Sequence, residues 1–185
     1  MSAFDRRPTL TANPIALAPL LREDFEPLAA AASDPLIWEV HPAGNRHERA
    51  VFASYFEVLV TRLDCLSIRI NGEVAGCSAY YTAPDRPGTI SIGYTFLARK
   101  FWGGDYNFLV KKLMVEHAFQ HFPDVWFHIN LTNIRSQKAT QKLGAVLEYE
   151  ANLDLSGSGN PDDWKVYRLS SSAWADTLSR RPSTA

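Results

Sequence analysis

The sequence predicts a single α/β (α+β) domain, built on a mixed and mostly antiparallel sheet of about seven strands with helices on both faces. Three observations predict this fold. The chain has 185 residues, a length that fits one domain with one hydrophobic core. Apolar residues recur with the period of strands in some segments and of helices in others, in the order β-α-α-β-β-β-α-β-α-β-β. No internal repeat divides that order.

The first half of the chain predicts one strand, two helices and a hairpin. Residues 1–14 are polar and interrupted by prolines, so we expect a loosely held lead-in before a domain over residues 15–170. The expected elements are a strand over Ile15–Leu20, a helix over Arg22–Ala32, an irregular segment over Ser33–Asn45, a helix over His47–Arg62, and hairpin arms over Cys65–Ile70 and Val74–Thr82.

The two cysteines lie on either side of the hairpin turn. Asn71-Gly72 is typical of a two-residue turn, and in that register Leu66 faces Cys77. The sulfurs of Cys65 and Cys77 are therefore predicted on opposite faces of the sheet, and we expect no disulfide. Free thiols, without an apolar run of signal-peptide or membrane-span length, predict a cytoplasmic protein.

The stretch from Ile90 to Gly144 predicts strand, Gly-Gly turn, helix, strand and helix. Such a turn between a strand and a helix can direct backbone N–H groups at an anion. The expected elements are a strand over Thr89–Leu97, a helix ending near His121, a strand over Val125–Leu131, a helix capped by Thr132 or Asn133, strands over Val146–Leu155 and Trp164–Leu169, and a short helix with a tail over residues 171–185.

Composition excludes several classes of function. The formal charge of −1 offers no basic face for nucleic acid or an acidic membrane, so neither is expected as a partner. No His/Cys cluster has zinc spacing, so no metal is expected. The hydrolase elbow, dinucleotide fingerprint and phosphate loop are also missing from the sequence, which argues against an unrelated α/β hydrolase or nucleotide-binding domain. Trp164 and Trp174 either form a homodimer contact or only cover the last strand.

A motif near the end of the central stretch resembles a known family. Residues 133–145 read NIRSQKATQKLGA, one strand after a Trp-Gly-Gly turn that opens a helix. This arrangement resembles the GNAT superfamily of N-acetyltransferases over most of residues 15–170, and looks closest to its ribosomal-protein N-acetyltransferase branch. The resemblance implies direct acetyl transfer from acetyl-CoA to a primary amine, on a small molecule or a protein N-terminus.

The resemblance also implies which residues bind acetyl-CoA. The pyrophosphate would lie on backbone N–H groups of the turn, and the pantetheine arm would pair with the end of the preceding strand. The assigned residues are Phe96 and Leu97 for the arm, Trp102, Gly103, Gly104, Tyr106 and Asn107 for the turn, and Asn133 and Ser136 for the pantetheine or phosphate. A helix N-terminus attracts phosphate in any family.

Asp105 stands where the family has its first glycine, and a carboxylate there repels phosphate. Two interpretations are open. Asp105 is a plain helix N-cap with no ligand, or the N–H groups around Gly103 and Gly104 bind phosphate while the carboxylate turns outward. The basic residues that could offset the charge are Arg99, Lys100, Lys111 and Lys112.

The acceptor amine must lose a proton before it attacks, so a base is needed. His128 is the first candidate, because its alternation with Phe127 and Ile129 turns it away from that apolar pair. A histidine hydrogen-bonded under a helix is the alternative. Glu148 and Glu150 follow as candidates, and then His41. Backbone N–H groups near Leu97 would polarise the acetyl carbonyl.

Four residues are assigned to acceptor binding: Trp38, His41, Ser91 and Tyr94. Trp38 either lines the pocket or plugs the edge of the core, with His41 then in solvent. Ser91 occupies the place of a common catalytic carboxylate of the family, and Thr140 that of its usual tyrosine acid. Together with Asp105, these departures favour the rival hypothesis, a catalytically silent CoA-binding or protein-interaction module.

Overall fold

The computed structural model describes residues 3–157 and 159–181. One sheet contains eight strands: β1 (Leu10–Ala12), β2 (Ile15–Pro19), β3 (Asp64–Ile70), β4 (Glu73–Tyr81), β5 (Ile90–Leu97), β6 (Asp124–Asn130), β7 (Val146–Leu153) and β8 (Asp162–Ser170). The α-helices are α1 (Phe25–Ala32), α2 (Arg49–Thr61), α3 (Tyr106–Ala118), α4 (Ile134–Gln141) and α5 (Ser171–Arg180).

The strands lie in the order β1-β2-β3-β4-β5-β6-β8-β7. Only β5 and β6 pair in parallel, so the prediction of a mixed, mostly antiparallel sheet in a single domain is confirmed. The extra strand is β1, which lies within residues 1–14, the segment expected to be a loose lead-in. It pairs with β2, the first strand of the expected domain. That expectation missed the pairing because three residues are too few to show a period.

Apolar side chains cover both faces of the sheet. Helices α3 and α5 pack on one face, where Tyr80 and Val110 are fully buried. Helices α1 and α2 pack on the other, around Leu28 and Phe52. In the described part of the chain, no helix combines the length and apolar character needed to cross a membrane.

The two tryptophans considered for a dimer contact belong to the covering of the last strands. Trp174 is 4% exposed, and its ring lies 5.4 Å from that of Phe108. Trp164 is half-buried, and its indole N–H donates to the Leu153 carbonyl at 2.9 Å. The burial of Trp174 agrees with the second of the two alternatives, and a homodimer contact at Trp164 stays a prediction.

The predicted separation of the cysteines is wrong. A β-bulge between Ile68 and Arg69 shifts the hairpin register, so Cys77 pairs with Ser67 instead of Leu66. One extra residue turns every later side chain to the other face. Cys65 and Cys77 are therefore both buried on the α1–α2 face, as free thiols.

Candidate functional site

The parallel strands β5 and β6 separate after a short contact. Their pairing covers only Ile90 with Val125 and Ser91 with Trp126. Beyond Ser91, β5 continues to Leu97 with no strand partner on that side among the described residues, while β6 continues beside β8. We call the resulting gap the strand opening. An unpaired strand edge presents N–H and C=O groups that an extended ligand can bind.

A bulge bends β5 at the strand opening. Cys77 pairs with Phe96 and Ala79 with Gly93, which leaves one extra residue on β5. Tyr94 at this bulge has a φ of 52°, in the left-handed region. Residues 93–95 are half-buried although the residues on either side of them are buried. Solvent therefore reaches β5 where β6 has left it.

The ladder on the other edge of β5 fixes which backbone groups face the opening. The Ala98 N–H donates to the Ala75 carbonyl at 2.7 Å. Because successive residues of an antiparallel pair point their polar groups to alternate sides, Leu97 directs its N–H and C=O at the opening and Phe96 directs its own at β4. The Trp102 indole already donates to the Leu97 carbonyl at 2.9 Å. Leu97 thus offers a ligand a donor.

The N-terminus of α3 lies just beyond the end of β5. Gly103 has a φ of +81°, which a glycine adopts readily. Asp105 is the N-cap residue of α3, but its side chain makes no capping hydrogen bond. Its carboxylate pairs with the Arg181 guanidinium at 2.5 Å. The carboxylate therefore points away from the first N–H groups of α3, those of Tyr106 and Asn107.

The basic residues expected to offset the charge of Asp105 contact other side chains instead. Three of them form the ion pairs Arg99–Asp34, Lys100–Glu73 and Lys112–Glu116. The fourth, Lys111, is buried, and its ammonium donates to Thr95 Oγ1 at 2.6 Å and to Ser78 Oγ at 3.3 Å. Burial lowers the pKa of Lys111 to about 7.

Helix α4 begins close to the turn before α3. Asn133 caps α4, as predicted, because its side-chain oxygen accepts the Ser136 N–H at 3.1 Å. The Arg135 guanidinium lies 4.1 Å from the centroid of the Trp102 ring and donates to the Ile37 carbonyl at 3.2 Å. The two helix starts and the Trp102 ring thus stand together at the end of the strand opening.

His128 belongs to a polar cluster on the α1–α2 face. Its Nε2 lies 3.2 Å from Asp85 Oδ1, and its Nδ1 lies 3.2 Å from the Tyr81 hydroxyl. The Tyr149 hydroxyl donates to the other Asp85 oxygen at 2.6 Å, and Arg86 Nε donates to the Tyr149 hydroxyl at 2.7 Å. His128 faces away from Phe127 and Ile129, as its position in the strand predicts.

The contacts of His128 define its chemistry. A carboxylate only accepts, so Nε2 carries the proton and Nδ1 accepts from the Tyr81 hydroxyl. Burial lowers the pKa of His128, while Asp85 acts in the opposite direction. The His128 side chain has no exposed surface, so it would receive a proton from an acceptor through a neighbouring group, such as the Tyr81 hydroxyl. The Tyr81 ring lies 5.4 Å from the Tyr94 ring at the bulge.

The other candidate bases lie apart from this cluster. Glu148 pairs with Arg168 at 2.7 Å, and Glu150 lies 3.8 Å from Lys165. Both glutamates stand on β7, at the edge of the sheet and beyond β8. His41 Nδ1 accepts the Ala43 N–H at 2.9 Å, and burial lowers its pKa to about 4.

The residues assigned to acceptor binding differ in burial and in hydrogen bonding. Trp38 is 3% exposed and donates to the Ala32 carbonyl, so it packs in the core edge, yet His41 is half-buried beside it and not in solvent. Ser91 is fully buried, and its hydroxyl has no hydrogen-bond partner within the described residues. Tyr94 is half-buried at the opening and donates to the Leu155 carbonyl at 3.1 Å.

Sequence reasoning missed several residues that the fold brings to the site: Arg46, Tyr81, Asp85, Lys111 as a buried group, and Arg181. Asp85 and Arg86 carried a weak signal, because two charged residues stand inside a tight proline-rich loop. Arg181 carried none, since it lies 76 residues from its partner Asp105.

A surface groove of about 710 Å³ lies elsewhere, beside α1. Its lining includes Asp34, Glu73, Arg99 and Lys100, whose charges pair with one another across it. Those pairs leave no unbalanced charge to recognise a ligand. Among the residues described, no group of three or more His, Cys, Asp or Glu could hold a metal ion.

Comparison with protein families gives a match to the acetyltransferase (GNAT) domain over residues 15–146. No curated protein sequence matches the chain significantly. The match spans the predicted strand–turn–helix stretch and both strands of the opening.

Solved structures share the fold over nearly the whole chain. A GCN5-related N-acetyltransferase from Brucella melitensis is 18% identical with a TM-score of 0.77, covering 96% of this chain and 85% of that one. Mycobacterium smegmatis RimJ in complex with CoA-disulfide is 15% identical with a TM-score of 0.63, covering 95% and 94%. An acetyltransferase of the GNAT family from Bacillus anthracis is 13% identical with a TM-score of 0.67, covering 88% and 98%.

Proposed function

The chain belongs to the GNAT acetyltransferase family, and from that premise we propose that it transfers acetyl from acetyl-CoA directly to a primary amine, on a small molecule or a protein N-terminus. One observation carries the proposal. Strands β5 and β6 part after two residue pairs, and the N-terminus of α3 lies uncapped by its own aspartate at the end of the gap. This arrangement suits an extended arm that ends in a diphosphate.

Residues around the opening fit the donor. Backbone N–H groups from Gly103 to Asn107 would bind the pyrophosphate, with the helix dipole adding favourable charge. The free amide nitrogen of Asn133 and the Ser136 hydroxyl would bind nearby. When bound, acetyl-CoA would supply an acetyl thioester. An uncharged amine would bond to the acetyl carbon, the bond from that carbon to sulfur would break, and CoA would leave as a thiolate that takes a proton from solvent. The Leu97 N–H would donate to the acetyl oxygen and stabilise the charge that develops there.

The His128 cluster would take up the proton of the amine. The Tyr81 oxygen would accept this proton while its own proton moves to His128 Nδ1, along the 3.2 Å contact between them. Asp85 would stabilise the charged imidazole through Nε2. Cys65 and Cys77 are buried below the α1–α2 helices, which agrees with direct transfer instead of a thiol intermediate.

Titration of the purified protein with acetyl-CoA tests the donor site. We expect measurable heat in calorimetry and a thermal shift at millimolar ligand. Acetyl transfer to a panel of amino acids, polyamines, aminoglycosides and N-terminal peptides, followed as CoA release, then tests the reaction. A protein that binds no acetyl-CoA would contradict the proposal, and one that binds it but acetylates no amine would leave only the binding module.

Asp105→Asn should tighten acetyl-CoA binding about three- to tenfold at low salt, because one carboxylate beside the diphosphate is worth about 1 kcal/mol in high dielectric. Arg181, which now pairs with Asp105, would also become available to the anion. The gain should fade at high ionic strength. Asp176→Asn, on the exposed surface of α5, is the control and should change nothing. Unchanged affinity for Asp105→Asn would place the diphosphate elsewhere.

The pH dependence of kcat should report the protonation of the His128 imidazole. The neutral imidazole is the base, and burial lowers its pKa, so activity should persist below the ordinary histidine range and then fall. Asp85→Asn removes the charge that raises this pKa, so the acidic limb should move to still lower pH while kcat drops. His128→Gln should cost about 10²–10⁴-fold in kcat. His121→Gln, which alters an exposed histidine just beyond the C-terminal end of α3, is the matched control.

If Asp85→Asn leaves the acidic limb in place, His128 is a structural histidine. The rival function, a catalytically silent CoA-binding or protein-interaction module, would then be favoured, and one contact already agrees with it. The Trp102 indole occupies the Leu97 carbonyl, which removes an acceptor that a pantetheine amide would need. A module of this kind would bind CoA only weakly and without turnover, and Trp102→Phe, which frees the Leu97 carbonyl, would strengthen its binding.

A further inference from the structure

Arg46 is a half-buried cation at the strand opening with no carboxylate partner among the described residues. Its guanidinium carbon lies 3.7 Å from the centroid of the Tyr55 ring and 5.6 Å from that of Trp38. Its Nη1 lies 3.4 Å from His41 Nε2, but His41 Nδ1 accepts the Ala43 N–H, so Nε2 of the neutral ring carries the proton and accepts no hydrogen bond from Arg46. Stacking on two rings fixes the plane of the guanidinium and leaves its fork of donors available.

The ring stack places Arg46 over β5. Trp38 contacts Phe96 with ring centroids 5.2 Å apart, and Phe96 lies next to the bulge that carries Tyr94. Tyr94 packs against the same cluster of Trp38, Tyr55 and Phe96 on which Arg46 stacks, so Arg46 and Tyr94 border one group of rings. The other side of Tyr94 contacts Tyr81 of the His128 cluster. Tyr94 thus stands between the expected amine site and Arg46.

The surrounding charges constrain the ligand further. Two carboxylates contribute negative potential here: Asp154, which also accepts from the Ser156 hydroxyl and the Gly159 N–H, acts on Tyr94, and Asp162, which accepts from the Asp163 N–H, acts on His41. His41 accepts a backbone N–H through Nδ1 and stays neutral at physiological pH, so it does not repel a cation. The electrostatic potential at this end of the opening therefore has contributions of both signs, which favours a ligand that carries both signs of charge. A doubly charged phosphate suits this site less well than a carboxylate joined to an ammonium.

We propose that Arg46 binds the carboxylate of the acetyl acceptor, which makes the acceptor a small amino acid with its amine at Tyr81 and its carboxylate across Tyr94. A planar guanidinium pairs with a carboxylate through two parallel hydrogen bonds, and here the rings already hold its orientation. The proposal rests on the function proposed above and names its substrate class. A peptide N-terminus has an amide at this position and gains nothing from Arg46.

Paired ligands that differ only in the carboxylate provide the test. Glycine, β-alanine, γ-aminobutyrate and a set of L-amino acids are each compared with their carboxamides, by calorimetry and thermal shift with saturating CoA. At least one acid should bind about tenfold or more tightly than its carboxamide. Arg46→Gln should bring the two affinities together, and the preferred chain length should report the distance between Tyr81 and Arg46.

Two further variants separate charge from structure. Arg49→Gln, which removes an exposed guanidinium paired with Glu26, should keep the full preference for acids. Arg46→Lys retains the positive charge but lacks the paired donors of the guanidinium, and it should keep part of the preference for acids. Equal binding of acid and carboxamide by the unaltered protein would overturn the proposal, as would a preference that survives Arg46→Gln. In either case acetyl-CoA binding and transfer to other amines would still support the proposed function, whereas a failure of acetyl-CoA to bind would remove that function itself.

Discussion

Gly76→Ala is expected to destabilise the protein by about 3 kcal/mol or more. A Cβ built on Gly76 would lie 2.0 Å from the Phe96 carbonyl oxygen and 2.9 Å from the carbonyl carbon. Both atoms are backbone, so no side-chain rotation relieves the contact. The alanine would push β4 away from β5 just where β5 borders the strand opening, and acetyl-CoA binding should weaken together with stability.

Urea unfolding at equilibrium measures the effect, and Gly72→Ala is the control. Gly72 has a φ of +82°, but a Cβ added to it would have nothing within 4 Å, so alanine there meets only the left-handed backbone cost of about 1–2 kcal/mol. The difference between the two variants isolates the strand contact. Equal destabilisation would show that β4 and β5 can separate at little cost.

Lys111→Met should stabilise the protein at neutral and acidic pH. Burial lowers the folded pKa of Lys111 from 10.5 to about 7. Below pH 7 the amine is charged in both folded and unfolded chains, and the cost of burying that charge is fully present. Between about 7 and 10.5 only the unfolded chain holds the proton, so the free energy of unfolding rises with pH, by up to about 5 kcal/mol in total.

Lys111→Met should lack this rise of the free energy of unfolding with pH. Its free energy of unfolding should therefore exceed that of the unaltered protein by a few kcal/mol at pH 6, and the difference should vanish towards pH 10. The partner hydroxyls are not orphaned, because Ser78 and Thr95 lie 2.7 Å apart and bond to each other. Denaturant unfolding at several pH values checks the expectation. Lys112→Met is the matched control, since this neighbouring ammonium is partly exposed and paired with Glu116. Parallel stability curves for Lys111→Met and the unaltered protein would contradict the expected charge burial.

The position of Lys111 connects this cost to the candidate site. The ammonium reaches from α3 to Thr95, which lies in the bulge of β5 beside Tyr94. A buried charge that lowers stability at the edge of a binding site is a feature that sequence patterning alone does not explain. The lysine ties the helix that would bind the diphosphate to the strand that would bind the arm.

Much of the fold could be predicted because it depends on local pattern. The periods of two and 3.6 located the strands and helices, and the cap at Asn133 followed from residue type. The register of the first hairpin could not be predicted, since the bulge beside Arg69 has no signature in the turn sequence. For the same reason the face on which Cys77 lies was predicted wrongly.

The sequence by itself determined the order of elements, the family and the strand–turn–helix stretch over residues 90–144, because these follow from periodicity and short motifs along the chain. Only the tertiary structure decided which partners the charged and titratable side chains of the site have. Asp105 turns to Arg181, His128 meets Asp85 and Tyr81, and Arg46 stacks over Tyr55, through contacts between segments far apart in sequence. A side chain's partners depend on packing and register, and no local period encodes them.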